Sequence, residues 1–190
     1  GYHMLFMCFV YFTIWKIKSI HPKDFEKISY GFEDCLNTAT SPFGFSEEQE
    51  SRIMRIFKFW GLNERIGEYK KLVKERNNIA HSNGNIYYKE QDSVDVRISD
   101  VLRFAEEIHQ KTKISIEQAY KEFLIENYSV EDSPYSSVEE MVSEEFIRKH
   151  YISEKDMQIC CSLNKFDIHH DDMEEILKTH NDIRTLYLQE

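Results

Sequence analysis

Apolar positions recur with a helical period along nearly the whole chain, and no stretch alternates like a strand for long. The pattern predicts helices at about residues 4–20, 22–38, 46–60, 62–82, 96–113, 115–128, 137–150, 153–163 and 170–188. Capping-box spacings, a serine followed three residues later by glutamine or glutamate, mark three of the starts: Ser46–Gln49, Ser115–Gln118 and Ser137–Glu140. One brief extended piece is predicted at 86–88. We therefore expect an all-α fold.

The amino end is strongly apolar. Residues 1–15 include no formally charged side chain, yet a membrane-spanning helix needs about 20 apolar residues. This length favours a first helix that is buried in the protein core. Contact with a membrane or a partner protein is the less favoured alternative. Residues 1–3 look like the remnant of an expression tag.

Charge divides the chain into two parts. Residues 1–116 contain 17 basic and 16 acidic residues, a net charge of +1, whereas residues 117–190 contain 7 and 18, a net charge of −11. We expect a helical bundle over 1–113 and an acidic helical extension over 114–190. The extension is either a solvated cap or a cover that imitates nucleic acid and occupies a cleft.

A net charge of −10 and a pI near 5.3 exclude attraction of the whole chain to nucleic acid. Any RNA contact must come from a local basic patch. Residues 51–76 provide one, with eight basic and three acidic residues. We expect Arg52, Arg55, Lys70 and Lys74 to approach an RNA backbone, although a charged run of this kind is also typical of an ordinary solvated face.

The four cysteines follow no disulfide or zinc-ribbon spacing. The adjacent pair, Cys160 and Cys161, is typical of buried or half-buried thiols on a helix. Free thiols are usual in a reducing compartment, and we expect a cytoplasmic protein.

An arginine interrupts the apolar seam of the predicted helix 62–82. The seam consists of Ile66, Tyr69, Val73 and Ala80, and a regular repeat would place another apolar residue where Arg76 stands. A buried arginine is costly unless its charge is paired or used. His81 follows five residues later, where Ser82, Asn83 and Gly84 signal the end of the helix.

These two residue types suit RNA cleavage without a metal ion. Histidine moves protons near neutral pH, and arginine holds phosphate oxygens through two parallel hydrogen bonds. The spacing alone is weak evidence, because Arg103 and His109 show a similar one. That second pair lies in a helix that predicts ordinary packing through Val101, Leu102, Ala105 and Ile108.

The string RNNIAHSNG, residues 76–84, resembles the signature of HEPN domains, which are all-helical modules. Many of that family are metal-independent endoribonucleases of toxin–antitoxin, CRISPR and phage-defence systems. The resemblance implies that Arg76 and His81 are catalytic and that Asn77 supports them. It also implies a homodimer whose two motifs line one RNA cleft, no cofactor, and RNA ends with 2′,3′-cyclic phosphate and 5′-hydroxyl groups. An antitoxin or regulatory protein is a further expected partner.

Two alternatives stay open. A seam arginine paired with a buried carboxylate, together with a histidine at a helix C-terminus, would give the same residues for structural reasons. The second alternative is a non-catalytic HEPN-like module that serves as an interaction or membrane-associated accessory part of a defence complex.

Two other groups of residues are weaker candidates for a functional site. Metal-capable side chains cluster near the carboxyl end: His169, His170, Asp171, Asp172, Glu174, Glu175 and His180. Adjacent histidines point about 100° apart on a helix, and acidic residues favour a first helical turn, so we predict no metal site here. The aromatic residues Phe57, Phe59 and Trp60 beside Lys58 are expected in the core rather than stacked on bases.

Overall fold

The computed structural model describes residues 2–29, 34–58, 61–80, 91–129, 133–164 and 170–188, and every regular element in these ranges is helical. The predicted all-α class is therefore confirmed, while the extended piece predicted at 86–88 lies outside the described residues. The α-helices are α1 (Tyr2–Ile20), α2 (Pro22–Ser29), α3 (Cys35–Thr38), α4 (Glu50–Ile53), α5 (Ile66–Ala80), α6 (Gln91–Glu126), α7 (Val138–Val142), α8 (Glu154–Cys161) and α9 (Met173–Tyr187).

Shorter helical pieces complete the described chain. Three of them are 3-10 helices: Pro42–Glu47, Met54–Lys58 and Asn63–Arg65. A π-helical stretch, Ser143–Arg148, continues α7. The predicted helix 46–60 is thus divided among several short elements.

The chain forms two compact units. The first unit contains residues 1–18 and 22–112, and the second contains residues 19–21 and 113–190. Helix α6 contributes its residues up to Thr112 to the first unit and the rest to the second. Each unit has its own apolar core.

Helix α1 buries one face in the core of the first unit, as predicted. Phe6, Val10 and Ile14 on this face are at most 1% exposed. At its amino end, Met4 and Leu5 remain 62% and 73% exposed. In the described part of the chain, no helix has the length and apolarity needed to cross a membrane.

Tyr69 of α5 lies at the centre of the first unit. Its ring centroid is 4.6 Å from that of Phe57, 4.7 Å from that of Phe104 and 6.0 Å from that of Phe6. Burial of Phe57 confirms its predicted core position, whereas residues 59–60 lie outside the described ranges. Because each buried aromatic ring removes a large apolar surface from water, this cluster anchors α5 to its neighbours.

In the described residues, ion pairs join α5 and the 3-10 helix Asn63–Arg65 just before it to the first half of α6. They connect Arg65 with Glu107 at 3.3 Å, Glu68 with Arg103 at 3.3 Å, and Glu75 with Arg97 at 2.8 Å. Residue numbers rise along α5 while those of their partners fall along α6. The two helices therefore run antiparallel, with charged residues along their shared edge.

Two of the predicted helix caps are wrong. Ser46 lies inside the 3-10 helix Pro42–Glu47, and Gln49 rather than Ser46 is the N-cap of α4. Ser115 lies in the middle of α6. The helix continues there because buried positions follow one another at helical spacing on both sides, at Ile108, Thr112 and Ile116.

The second unit has well-capped helices. The Ser137 side chain accepts a hydrogen bond from the Glu140 amide at 3.1 Å, which confirms this predicted cap. The reciprocal bond is shifted by one residue, because the Glu140 carboxylate accepts from the Ser136 amide at 2.8 Å. A capping box that was not predicted, Ser153–Asp156, begins α8.

Buried polar side chains of the second unit are linked into a chain of hydrogen bonds. Tyr120 Oη lies 3.0 Å from His180 Nδ1, and His180 Nε2 lies 3.1 Å from the Leu163 carbonyl oxygen. Since a carbonyl only accepts, the neutral imidazole carries its proton on Nε2 and Tyr120 donates to Nδ1. Cys160 and Cys161 are fully buried free thiols, as predicted.

Candidate functional site

The motif of residues 76–84 begins near the carboxyl end of helix α5. Tyr69, Leu72 and Val73 bury the seam of this helix, with side chains at most 5% exposed. Position 76 comes four residues after Leu72 and three after Val73, so helical register places it on the same face. The side chain of Arg76 and the whole of His81 lie outside the described residues.

A groove runs beside α5 in the first unit. Its volume is about 510 Å³. One wall is formed by α5, and the other by residues 46–51, which connect the 3-10 helix Pro42–Glu47 with α4. The α5 residues that line it follow helical spacing: Lys70, Val73, Lys74 and Asn77. The structure thus brings three predicted site residues, Lys70, Lys74 and Asn77, to one groove.

The α5 wall of the groove carries two lysine side chains. Lys70 and Lys74 are exposed, and within the described ranges neither forms an ion pair. Asn77 is half-buried beside them. An amide and two ammonium groups on one helical face can donate hydrogen bonds to an anionic ligand.

The opposite wall is acidic, and two of its carboxylates contact other side chains of the protein. Glu48 is fully buried, and its Oε1 lies 3.2 Å from Arg52 Nη1. Its carboxylate also accepts a hydrogen bond from the Gln49 amide at 2.8 Å. Glu50 Oε2 lies 3.0 Å from Nε2 of the buried His3.

The other two predicted RNA-binding residues do not line this groove. Arg52 forms an ion pair with Glu48, which partly neutralises its charge within the protein. Arg55 is exposed on the 3-10 helix Met54–Lys58. The basic patch of residues 51–76 is therefore divided in space, and only its α5 part forms a groove wall.

The chain matches no protein-family model, no curated protein and no solved structure. The resemblance to HEPN domains rests on residues 76–84.

The second arginine–histidine pair has a structural role. Arg103 Nη2 lies 3.3 Å from both Glu68 Oε2 and Asp100 Oδ1, and His109 is 8% exposed. The expectation that Leu102 packs in the core is wrong, since it is 64% exposed. Helix α6 turns Val101 and Phe104 inwards instead, and Leu102 falls between them on the outer side.

Sequence reasoning missed the ion pair nearest the motif. Glu75 Oε1 lies 2.8 Å from Arg97 Nη2, and Arg97 Nη1 lies 3.5 Å from Asp100. Glu75 Oε2 is also buried and, within the described chain, has no hydrogen-bond partner. Because Glu75 and Arg97 are 22 residues apart, no local spacing could have indicated their contact.

The cluster near the carboxyl end does not form a metal site in the part of it that the structure describes. His180 is 2% exposed and is held by Tyr120 and Leu163 in the core. His170 Nδ1 accepts a hydrogen bond from the Asp172 amide at 3.2 Å. Across the described ranges, no group of three histidine, cysteine or acidic side chains could hold a metal ion. His169 lies outside those ranges.

Proposed function

We propose that this protein is a metal-independent endoribonuclease of the HEPN type, in which Arg76 and His81 are catalytic and Asn77 supports them. One observation carries the proposal: the helix that ends in this motif also presents Lys70, Lys74 and Asn77 to a groove. A helix that combines the motif with positively charged side chains is suited to a phosphate backbone. The all-helical class of the chain agrees with the HEPN resemblance.

The reaction is an internal transesterification of RNA. The ribose 2′-oxygen attacks the adjacent phosphorus, its proton passes to a base, and the bond from phosphorus to the 5′-oxygen breaks. The leaving oxygen takes a proton from an acid. A histidine serves as base or acid near neutral pH, and an arginine stabilises the extra negative charge of the phosphorane. The products carry 2′,3′-cyclic phosphate and 5′-hydroxyl ends, and no cofactor takes part.

The proposed enzyme acts as a homodimer. Positions 76 and 81 are five residues apart, which corresponds to about 140° around the axis of an ideal α-helix. One copy of the motif therefore has difficulty in directing both side chains to the same phosphate. Two copies that face each other supply both groups, along with the second proton-transfer residue that the reaction needs.

The groove lysines are proposed to bind the RNA backbone next to the scissile phosphate. Lys70 and Lys74 are one helical turn apart on α5, and each contributes one positive charge. RNA affinity should therefore fall steeply as salt is raised, because each phosphate contact releases counterions. Such an activity suits a cytoplasmic toxin or antiviral defence protein, held in check by an antitoxin or regulatory partner.

A matched pair of arginine variants tests the proposal. Arg76→Ala should lower the cleavage rate by roughly 100-fold or more, because it removes the phosphate clamp. Arg103→Ala is the control, since Arg103 has nearly the same spacing to a histidine but pairs with Glu68 and Asp100. Equal losses in the two variants, or unfolding of Arg76→Ala by circular dichroism, would favour a structural role for Arg76.

A non-catalytic interaction module is the second candidate, and exposed apolar residues favour it. Met4 and Leu5 at the start of α1 are 62% and 73% exposed, and Leu102 on α6 is 64% exposed. In that case the protein would not cleave RNA, and Leu5→Glu would abolish association with its partner or with membranes. Gel filtration with and without detergent distinguishes the two candidates.

A further inference from the structure

Glu75, the residue just before Arg76 in the chain, forms an ion pair with Arg97 of α6. The side chains of this pair, Arg97 and Glu75, are 25% and 22% exposed, and their contact distance is 2.8 Å. The pair between Arg103 and Glu68, one to two helical turns away from it along both helices, is 46% and 45% exposed with a distance of 3.3 Å. Because burial reduces screening by water, the first pair holds its helix more firmly than the second.

Glu75 depends on Arg97 for its charge balance. Its Oε1 faces Arg97, while Oε2 is buried and has no hydrogen-bond partner in the described structure. Within the described residues, removal of Arg97 would leave a carboxylate with one buried oxygen and without its ion-pair partner. Such a group forces its surroundings to rearrange until water or another donor reaches it. The backbone that has to move is the last turn of α5.

We propose that Arg97 is a positioning residue: through Glu75 it fixes the end of α5 that carries Arg76 and leads to His81. Asp100 supports this role, because it lies 3.5 Å from Arg97 Nη1 and 3.3 Å from Arg103 Nη2. The shared carboxylate connects the two arginines on α6. Arg97 does not touch RNA in this account, and it acts only through the helix it holds. The role in catalysis rests on the proposed nuclease function, whereas the hold on the helix does not.

Two measurements on the full chain test this inference. The first is hydrogen–deuterium exchange of the peptide segment 75–85 in wild type, Arg97→Gln and Arg103→Gln. Arg97→Gln should speed exchange there by roughly fivefold, the effect of losing one partly buried ion pair. Arg103→Gln should leave segment 75–85 unchanged and affect only the first turns of α5.

The second measurement is steady-state RNA cleavage. Arg97→Gln should lower kcat by roughly 10- to 100-fold with little change in KM, because misplaced catalytic groups slow the chemical step without weakening RNA binding. Arg103→Gln should change kcat by less than about twofold. Arg97→Lys should give intermediate values, since one ammonium can still reach Glu75, and it replaces Arg97→Gln if that variant fails to fold.

The outcomes separate this inference from the proposed function. If the wild type does not cleave RNA, the proposed function fails, and exchange of segment 75–85 still decides whether Arg97 holds the end of α5. Unchanged exchange in Arg97→Gln, or equal effects of Arg97→Gln and Arg103→Gln, would overturn the inference. A raised KM with unchanged kcat would also overturn it, since that result indicates direct RNA binding by Arg97.

Discussion

The two units of the chain treat buried polar groups differently. In the second unit, Tyr120, His180 and the Leu163 carbonyl form a continuous set of hydrogen bonds, and Ser153 and Asp156 cap α8 reciprocally. In the described part of the first unit, by contrast, several buried polar atoms have no hydrogen-bond partner, among them His3 Nδ1, Tyr69 Oη, Glu75 Oε2 and Glu107 Oε2.

Three of these atoms lie on or beside α5. Tyr69 and Glu75 belong to α5, and Glu107 pairs with Arg65 just before it. An unpaired buried polar atom costs about 1–3 kcal/mol, so proteins usually avoid it unless a function requires it. The comparison indicates that buried polar atoms around α5 carry a cost in stability that Tyr120 and His180 of the second unit avoid by bonding each other.

The largest expected effect comes from the aromatic centre of the first unit. Tyr69→Ala should lower the free energy of unfolding by about 3–5 kcal/mol, because it leaves a cavity among Phe6, Phe57 and Phe104. Urea unfolding followed by tryptophan fluorescence reports on this unit, since Trp15 and Trp60 both fall within its residue range. A loss below about 1 kcal/mol would show that Tyr69 is not central to the core.

Removal of single hydroxyl groups compares the two units directly. Tyr120→Phe should cost about 1–3 kcal/mol, because it leaves Nδ1 of the buried His180 without its donor. Tyr69→Phe should be neutral or stabilising by up to about 1–3 kcal/mol, since within the described residues its buried hydroxyl has no partner to lose. Urea unfolding followed by circular dichroism and fluorescence measures both; similar losses in the two variants would contradict the comparison.

Acid should weaken the second unit before its carboxylates titrate. Ser19 Oγ lies 2.5 Å from His150 Nδ1, and burial, aided by the nearby Lys149 charge, lowers the pKa of His150 from 6.5 to about 4. Burial also lowers the pKa of His180. The unfolded chain therefore binds protons that the folded chain rejects, and stability should fall as pH drops from about 6.5 to about 4. Urea midpoints measured across this pH range should fall less steeply in His150→Asn than in the wild type. The same slope in both proteins would argue against a neutral His150.

The smallest expected effect concerns the helix caps. Ser153→Ala should cost about 1 kcal/mol, because the Ser153 hydroxyl no longer accepts from the Asp156 amide or donates to the Asp156 carboxylate, while the Ser153 backbone amide still bonds that carboxylate. Ser115→Ala, at the spacing that wrongly predicted a cap, should be neutral or slightly stabilising because alanine favours a helix interior. Thermal unfolding of both variants measures the difference. An equal loss in Ser115→Ala would indicate a helix break that the structure does not contain.

Local patterns in the sequence predicted much of the fold. Helical periodicity predicted the class, the buried face of α1 and the buried cysteine pair, because these depend on residues a few positions apart. The continuity of α6 was missed since Ser115 and Gln118 have capping-box spacing, yet Thr112 and Ile116 keep the helix buried on both sides. Local spacing alone cannot distinguish a true helix cap from the same residues in the middle of a helix, because tertiary packing determines whether the helix continues.

The candidate site was accessible to sequence reasoning only in part. The grouping of Lys70, Lys74 and Asn77 follows from helical register, and the structure adds the wall that faces them. The contact of Arg97 with Glu75 could not be predicted in the same way, because the partner lies on another helix. Glu48 and Arg52 are four residues apart, which local spacing can indicate, but the burial of Glu48 depends on the tertiary fold.

The most direct test of the central claim is cleavage of total RNA and tRNA in EDTA by the wild type and by His81→Ala, followed by analysis of the RNA ends. The account predicts 2′,3′-cyclic phosphate and 5′-hydroxyl ends from the wild type and intact RNA from the variant. Intact RNA with both proteins, activity that returns only when zinc or magnesium is added, or equal cleavage by both would contradict it.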